Sequence, residues 1–140
     1  KSLGAGSVIS RADLSEENKR PMAAETWAHG IDTVGGEILS NVIKGLKYGG
    51  SVAICGLVAS PAFSTTVLPF ILRNVNVLGV DSVELPLAKK QEIWHRLATD
   101  LKPDALDKMT TEVALDGLSD VIDSIIQGGV SGRTLVKLDD

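Results

Sequence analysis

Short apolar runs alternate along the chain with longer amphipathic segments, which is the pattern of an α/β domain with a mainly parallel sheet. The apolar runs predict strands at Val8-Ile9, Trp27 to Val34, Ser51 to Cys55, Val75 to Val80, Thr110 to Leu115 and Arg133 to Leu138. Ser51 to Cys55 is apolar on both faces, which is typical of a central parallel strand. Residues 1–5 are typical of a helix end that leads directly into the first strand.

The amphipathic segments predict the helices that connect these strands. One helix is expected to begin at the capping residue Ser15, and the others cover Glu37 to Leu46, Thr65 to Leu72, Pro86 to Leu101 and Leu118 to Ile126. Gly49-Gly50 is expected to close the second helix in a left-handed conformation. Helical spacing predicts a buried face on the last two helices, formed by Leu87, Trp94, Leu97, Ala98 and Leu101 in one and by Val121, Ile122, Ile125 and Ile126 in the other.

The composition is that of an ordinary globular domain, with 44% hydrophobic and 23% charged residues in a chain of 140. A net charge of -4 argues against a nucleic-acid or anionic-membrane surface, because both need clustered positive charge. Cys55 is the single cysteine of the sequence, so these residues predict neither a disulfide framework nor a thiolate zinc site. No apolar run approaches the ~20 residues of a membrane span. A soluble, cytoplasmic protein is therefore expected.

Three of the predicted strands end in residues that suit a ligand site. These residues are Val34-Gly35-Gly36, Cys55-Gly56-Leu57 and Val80-Asp81-Ser82. In an open parallel sheet, ligands bind at the carboxyl ends of the strands, and glycine lets a ligand approach the backbone closely. Tight turns without a ligand would give the same pattern, so the spacing alone leaves both interpretations open.

The remaining reactive residues give weaker signals. Cys55 has no histidine placed as its base and is interpreted as a small buried side chain rather than a nucleophile. Neither histidine belongs to a spacing that resembles a metal site. Asp32 and Asp81 are suited to holding turns together, and Arg133 either is solvated or reaches a phosphate.

Four longer stretches give the sequence a family resemblance. They are LGAGSVISR (Leu3 to Arg11), DTVGG (Asp32 to Gly36), YGGSVAICGL (Tyr48 to Leu57) and TTVLPFILRNVNVLGVDSV (Thr65 to Val83). These stretches resemble the medium-chain dehydrogenase/reductase superfamily, and more closely its zinc-free, quinone-oxidoreductase-like branch, the YhdH/YhfP group that includes acryloyl-CoA reductases. The final GRTLVKL (Gly132 to Leu138) extends the resemblance over essentially the whole chain.

The resemblance implies that the chain is the C-terminal part of an NADPH-dependent reductase of activated carbon–carbon double bonds, which acts on enoyl-CoA thioesters or quinones without a metal. Matching positions imply cofactor contacts for Val34 and Gly35 near the adenosine, Cys55, Gly56 and Leu57 at the nicotinamide ribose, Val80, Asp81 and Ser82 at the nicotinamide, and Arg133 at the pyrophosphate. No catalytic residue is assigned.

The fold implied by the resemblance is a partial doubly wound, Rossmann-like parallel sheet over residues 1–108, without its first two strands. A strand–helix–strand segment over residues 109–140 would return to the catalytic domain. In the strand order 3-2-1-4-5-6, Val8-Ile9 would be strand 3. The glycine-rich phosphate turn and the substrate domain would precede the chain, so this fragment alone is expected to be inactive.

The same topology implies an assembly. Residues 1–20 are expected to be displaced from their family position or swapped onto a neighbouring chain, because strand 2, the only neighbour of strand 3, would be missing. The strand Asn74 to Val80 is expected to pair with a twofold mate and form a homodimer.

Two interpretations from other classes stay open. A methyltransferase-like α/β domain that binds S-adenosylmethionine also ends its strands in glycine turns. A non-catalytic module could oligomerise through an exposed strand. The block PFILRNV…GVDSV favours the reductase over the methyltransferase.

Overall fold

The computed structural model describes residues 4–138, which divide into two compact units at the junction of Leu85 and Pro86. The helix end predicted at the start of the chain falls partly on residues 1–3, which lie outside the described residues. Each unit contains its own parallel sheet, three-stranded in the first and two-stranded in the second. The predicted α/β class with parallel strands is therefore confirmed.

The first unit alternates helices and strands. They are α1 (Arg11–Ser15), β1 (Trp27–Asp32), α2 (Gly36–Lys44), β2 (Leu46–Ile54), α3 (Leu68–Arg73) and β3 (Asn76–Gly79). The strands are parallel and adjacent in the order β1-β2-β3. This is the order that the resemblance implies for strands 4, 5 and 6 of the superfamily sheet.

The core of the first unit lies between α2 and the sheet. Its buried apolar residues are Leu39, Ile43, Leu46, Val52 and Val75, none of them more than 5% exposed. Leu39 and Ile43 are one helical turn apart and therefore share one face of α2. Burying each such side chain contributes about 1.5–3 kcal/mol. The apolar stripe of α2 is therefore packed against the sheet.

The opposite face of this sheet carries exposed apolar residues. Ile31, Ala53 and Leu78 are paired across the three strands, so their side chains point to the same face. Ile31 is 82% exposed. The preceding register pairs His29 with Ser51, whose side chains are joined by a 3.0 Å hydrogen bond between Nδ1 and Oγ.

The predicted first strand and the predicted start of the first helix are both wrong. Val8-Ile9 forms no strand, because none of the strands within residues 4–138 pairs with it and a lone strand has no ladder hydrogen bonds. The helix α1 ends at Ser15 instead of beginning there. Its cap is Ser10, whose Oγ accepts a hydrogen bond from the N–H of Ala12 at 3.2 Å.

The predicted helix end at Gly49-Gly50 is also wrong. The helix α2 already ends at Lys44, where Gly45 caps it, and Gly49-Gly50 lies inside β2. The five-residue step from Leu46 to Ser51 in β2 lies opposite the two-residue step from Trp27 to His29 in β1. The glycines therefore serve an irregularity of the strand, where Gly49 has φ 71°.

The second unit contains a strand–helix–strand motif. Its elements are α4 (Leu87–Ala98), β4 (Thr110–Ala114), α5 (Leu118–Ile126) and β5 (Arg133–Lys137), with short 3₁₀ turns at Leu106–Met109 and Leu115–Gly117. β4 and β5 are parallel and are connected by α5, which has the predicted bounds. This confirms the strand–helix–strand pattern that the sequence indicates.

The buried faces predicted for α4 and α5 are not formed. Neither helix has a buried residue, and Trp94 is 69% exposed while Ile126 is 77% exposed. Helical spacing identifies the apolar side of a helix, but burial also requires a second layer that packs against this side. Val121 comes nearest to the prediction, since it is half-buried.

Candidate functional site

The carboxyl edge of the three-stranded sheet brings together the predicted segments that follow β1, β2 and β3. Two backbone hydrogen bonds extend the sheet beyond the strand ends. The N–H of Cys55 donates to the carbonyl of Asp32 at 2.9 Å, and the N–H of Val80 donates to the carbonyl of Ile54 at 2.9 Å. Because of these bonds, the three segments leave the sheet side by side at one edge.

The turn after β1 is organised by Asp32 and two glycines. Asp32 is 5% exposed, and its Oδ2 accepts a hydrogen bond from the N–H of Gly35 at 2.8 Å. Gly35 and Gly36 have φ of 70° and 62°, in the left-handed region that favours glycine. The prediction that Asp32 holds a turn is confirmed. Val34, which stands within the turn, is half-buried.

The loop after β2 lies directly against this turn. A Cβ at Gly56 would overlap the carbonyl oxygen of Thr33, so only glycine fits this position. Cys55 is exposed, and its Sγ donates to the carbonyl of Asp32 at 3.3 Å. The expected burial of Cys55 is therefore wrong, because the chain leaves the sheet at this residue. Leu57 is 63% exposed and offers an apolar surface at the edge.

The segment after β3 forms a turn around its aspartate. The Oδ1 of Asp81 accepts hydrogen bonds from the N–H groups of Val83 and Glu84, at 2.9 and 3.0 Å. This confirms the predicted role of Asp81 in holding a turn, and it commits one carboxylate oxygen to the backbone. Val80 and Ser82 on either side of Asp81 are exposed.

Arg133 belongs to the second unit, where it is the first residue of β5. It is exposed and is paired in register with Thr110 of β4. Among the ion pairs formed within residues 4–138, none includes Arg133. No carboxylate within these residues therefore neutralises its guanidinium.

Sequence reasoning missed the contribution of Ser60. The carbonyl of Val34 accepts hydrogen bonds from the N–H groups of Ala59 and Ser60, at 2.8 and 3.3 Å. Gly35 and Ser60 form an isolated parallel bridge. No local pattern in the sequence indicates these contacts, because they join loops that are separated by a complete helix and a complete strand.

Within residues 4–138, no group of histidine, cysteine, aspartate or glutamate side chains is arranged to hold a metal ion. In the same residues, every helix is too short or too polar to cross a membrane. The carboxyl edge presents the exposed apolar side chains of Leu57 and Val80 beside the polar side chains of Cys55, Asp81 and Ser82.

The parallel sheet and its glycine turns form an open α/β domain, a class in which ligands bind outside the carboxyl ends of the strands. No family model matches the chain. The chain is 42% identical over 137 residues to the acrylyl-CoA reductase AcuI of Ruegeria pomeroyi, a match of 98% of this chain to 42% of that protein. It is 40% identical over 139 residues to the putative quinone oxidoreductase YhfP of Bacillus subtilis, again covering 42% of the relative.

Solved structures give the same relationship. The yhdH oxidoreductase from Salmonella enterica in complex with NADP superposes with a TM-score of 0.89 at 46% identity, over 99% of this chain and 42% of that one. The Bacillus subtilis protein yhfP with NAD bound superposes with a TM-score of 0.91 at 39% identity, over 98% of this chain and 42% of that one. The chain is thus a homologue of the YhdH/YhfP group of medium-chain oxidoreductases and spans 42% of their length, which confirms the predicted family.

Proposed function

We propose that the complete protein is an NADPH-dependent reductase of activated carbon–carbon double bonds, and that this chain supplies part of its cofactor site. The observation that most supports this proposal is that three strand-end segments lie together at one edge of a parallel sheet. The relatives' names, acrylyl-CoA reductase and quinone oxidoreductase, support enoyl-CoA thioesters or quinones as acceptors. The NADP complex of the yhdH oxidoreductase supports NADP as the cofactor.

The described residues fit part of a dinucleotide. Leu57 and Val80 are 63% and 53% exposed at the edge, where they offer apolar contacts to a nicotinamide and its ribose. Gly35 and Gly56 let the loops after β1 and β2 approach each other, because a Cβ at Gly35 would overlap the carbonyl oxygen of Ser60 and a Cβ at Gly56 would overlap that of Thr33. The nicotinamide would supply a hydride to the β-carbon of an enoyl thioester, and a proton added at the α-carbon would complete the reduction. The role of these residues is to bind and orient, and none of them is assigned to proton transfer.

The remaining contacts of the proposal follow the family positions. Val34 and Gly35 would lie near the adenosine, Cys55, Gly56 and Leu57 at the ribose, Val80, Asp81 and Ser82 at the nicotinamide, and Arg133 at the pyrophosphate. Residues 1–108 would belong to the cofactor domain and residues 109–140 to the catalytic domain. Because these 140 residues correspond to 42% of the relatives' length, we propose that they are inactive alone.

The proposed activity is tested by following NADPH oxidation by the complete protein with acryloyl-CoA and with a benzoquinone, in the presence of a chelator. We expect turnover with at least one acceptor, weaker turnover with NADH, and no loss of activity to the chelator. Binding of S-adenosylmethionine without binding of NADPH would favour the methyltransferase instead. Activity that the chelator abolishes and zinc restores would contradict the metal-free proposal.

We also propose a homodimer that forms through β3. This strand pairs with β2 on one side, and within residues 4–138 no strand pairs with its other side. A free strand edge with an exposed apolar residue such as Leu78 favours pairing with another strand. Light scattering is expected to show a dimer, and a monomer that persists at high concentration would contradict it.

The free thiol of Cys55 suits the reducing cytoplasm, where we propose that the protein resides.

A further inference from the structure

Asp32 is a buried acidic residue to which the proposed reduction gives no role. It is 5% exposed and stands at the end of β1, between the sheet and the proposed cofactor edge. None of the ion pairs within residues 4–138 involves it. Its carboxylate instead accepts a hydrogen bond from the N–H of Gly35, in the turn that follows β1.

Asp32 contacts both of the loops that the cofactor would meet. Its side chain accepts the N–H of Gly35 at 2.8 Å and so closes the turn after β1. Its backbone carbonyl accepts the N–H of Cys55 at 2.9 Å and the Sγ of the same residue at 3.3 Å, at the start of the loop after β2. One residue therefore fixes the beginning of both loops.

The two loops continue side by side after Asp32. The carbonyl of Val34 accepts hydrogen bonds from the N–H groups of Ala59 and Ser60, at 2.8 and 3.3 Å. A Cβ at Gly35 would overlap the carbonyl oxygen of Ser60. The loops thus touch backbone to backbone, and a shift of the first loop would displace the second.

We infer that Asp32 is a positioning residue that holds the loop after β1 and the loop after β2 in the mutual arrangement that binds the dinucleotide. The inference rests on the proposed function. Replacement of Asp32 by alanine leaves the N–H of Gly35 without its acceptor, which frees the turn and with it the carbonyl of Val34. Asparagine keeps a side-chain oxygen at the same place and is expected to restore the turn.

The test compares Asp32→Ala and Asp32→Asn in the complete protein. The matched control is Asp104→Ala, which replaces an exposed aspartate. We expect the Kd for NADPH to rise about tenfold in Asp32→Ala, because binding must then re-form the turn with the buried N–H of Gly35 left unpaired. The kcat at saturating NADPH should stay within about twofold. Asp32→Asn and Asp104→Ala should both retain the wild-type Kd. A purely structural role would instead lower the fraction of active molecules and leave the Kd unchanged, and this result would overturn the inference.

Hydrogen exchange of the wild-type protein covers the case in which Asp32→Ala does not fold. We expect the amides of Gly35, Ala59 and Ser60 to be protected in the free protein and to become more protected together when NADPH is added. Exchange of Ala59 and Ser60 at the rate of a free loop would overturn the inference. Wild-type protein that does not bind NADPH at all would overturn the proposed function rather than the loop contact.

Discussion

The two units of the chain bury their apolar residues to different extents. In the first unit, five apolar residues are at most 5% exposed and form a core between α2 and the sheet. In the second unit, none of residues 86–138 is buried. Both units nevertheless contain helices with an apolar stripe at helical spacing. The same sequence signal is therefore associated with a closed core in one unit and with exposed apolar surface in the other.

The difference follows from the number of strands that each helix can cover. In the first unit, α2 packs on a three-stranded parallel sheet, and α3 contacts the central strand of the same sheet. In the second unit, a single helix connects the two strands of a small parallel sheet. Two strands rarely form a stable sheet without further packing. The first unit therefore has its own source of stability, while the second needs additional contacts to bury its apolar residues.

The largest effect is expected from a change in the first core. Leu39→Ala should lower the free energy of unfolding of the chain by about 2–5 kcal/mol, because it removes a fully buried side chain and leaves a cavity. Ile126→Ala removes an apolar side chain that is 77% exposed and should change this free energy by less than about 0.5 kcal/mol. Urea denaturation measures both. Equal losses would remove the contrast between the units.

A second contrast concerns the arginines of the two units. Arg73 is 14% exposed and donates to the carbonyls of Lys44 at 3.0 Å and Ala23 at 2.8 Å. Arg73→Ala should therefore cost about 1.5–3 kcal/mol, the range for hydrogen bonds of a charged group. Arg96 is 55% exposed and pairs with Asp100 at 2.8 Å. Arg96→Ala should cost clearly less, because an exposed ion pair contributes little to stability. A reversed order in thermal or urea unfolding would contradict this assignment.

Arg133 tests whether the second unit contributes to cofactor binding. Arg133→Ala in the complete protein should weaken NADP binding by about 1.5–3 kcal/mol, because it would remove a charged donor to the pyrophosphate. Lys137→Ala, at the other end of β5, is the matched control and should leave binding unchanged. Calorimetric titration measures both constants. An unchanged Kd for Arg133→Ala would indicate that Arg133 is a solvated surface residue without a role in binding.

The smallest effect is expected from pH. The hydrogen bond from the Arg96 side chain holds the pKa of Asp100 below its ordinary value of 3.8. A depressed pKa contributes stability that is present above the unfolded-state pKa and is lost as the pH falls through the folded-state pKa. Since Asp100 is exposed, the change in stability should be barely measurable. An NMR titration is more sensitive, and in Arg96→Gln the pKa of Asp100 should rise toward 3.8. A pKa that does not move would exclude the arginine as the cause.

The strand order could be predicted from the family resemblance, and the helix α5 from its own apolar stripe. The first unit has the expected parallel order, and α5 has the bounds Leu118–Ile126 that its apolar stripe indicates. The start of α1 could not be predicted with the same rules. Ser10 and Ser15 are both followed by acidic residues, so capping preferences alone do not choose between them.

Some features of the candidate site could be predicted from the sequence, and others could not. The strand ends were predictable, because parallel strands in chain order bring their carboxyl ends to one edge. The role of Asp32 in its own turn was predictable, since aspartate bonds nearby backbone N–H groups. The contact of Val34 with Ser60 was not, because it is a long-range contact between loops. The exposure of Cys55 depends on where the chain leaves the sheet, which residue preferences do not determine.

The irregularity inside β2 is a place where residues could be inserted into the central strand of the sheet. Gly49 has φ 71° and nothing within 4 Å of the place where a Cβ would stand, and Tyr48 beside it is 73% exposed. The pairs of Leu46 with Trp27 and of Ser51 with His29 hold the strand on both sides. Residues added between Tyr48 and Gly49 would therefore extend into solvent and leave the register of the sheet unchanged. This position is therefore a suitable attachment point for a peptide tag.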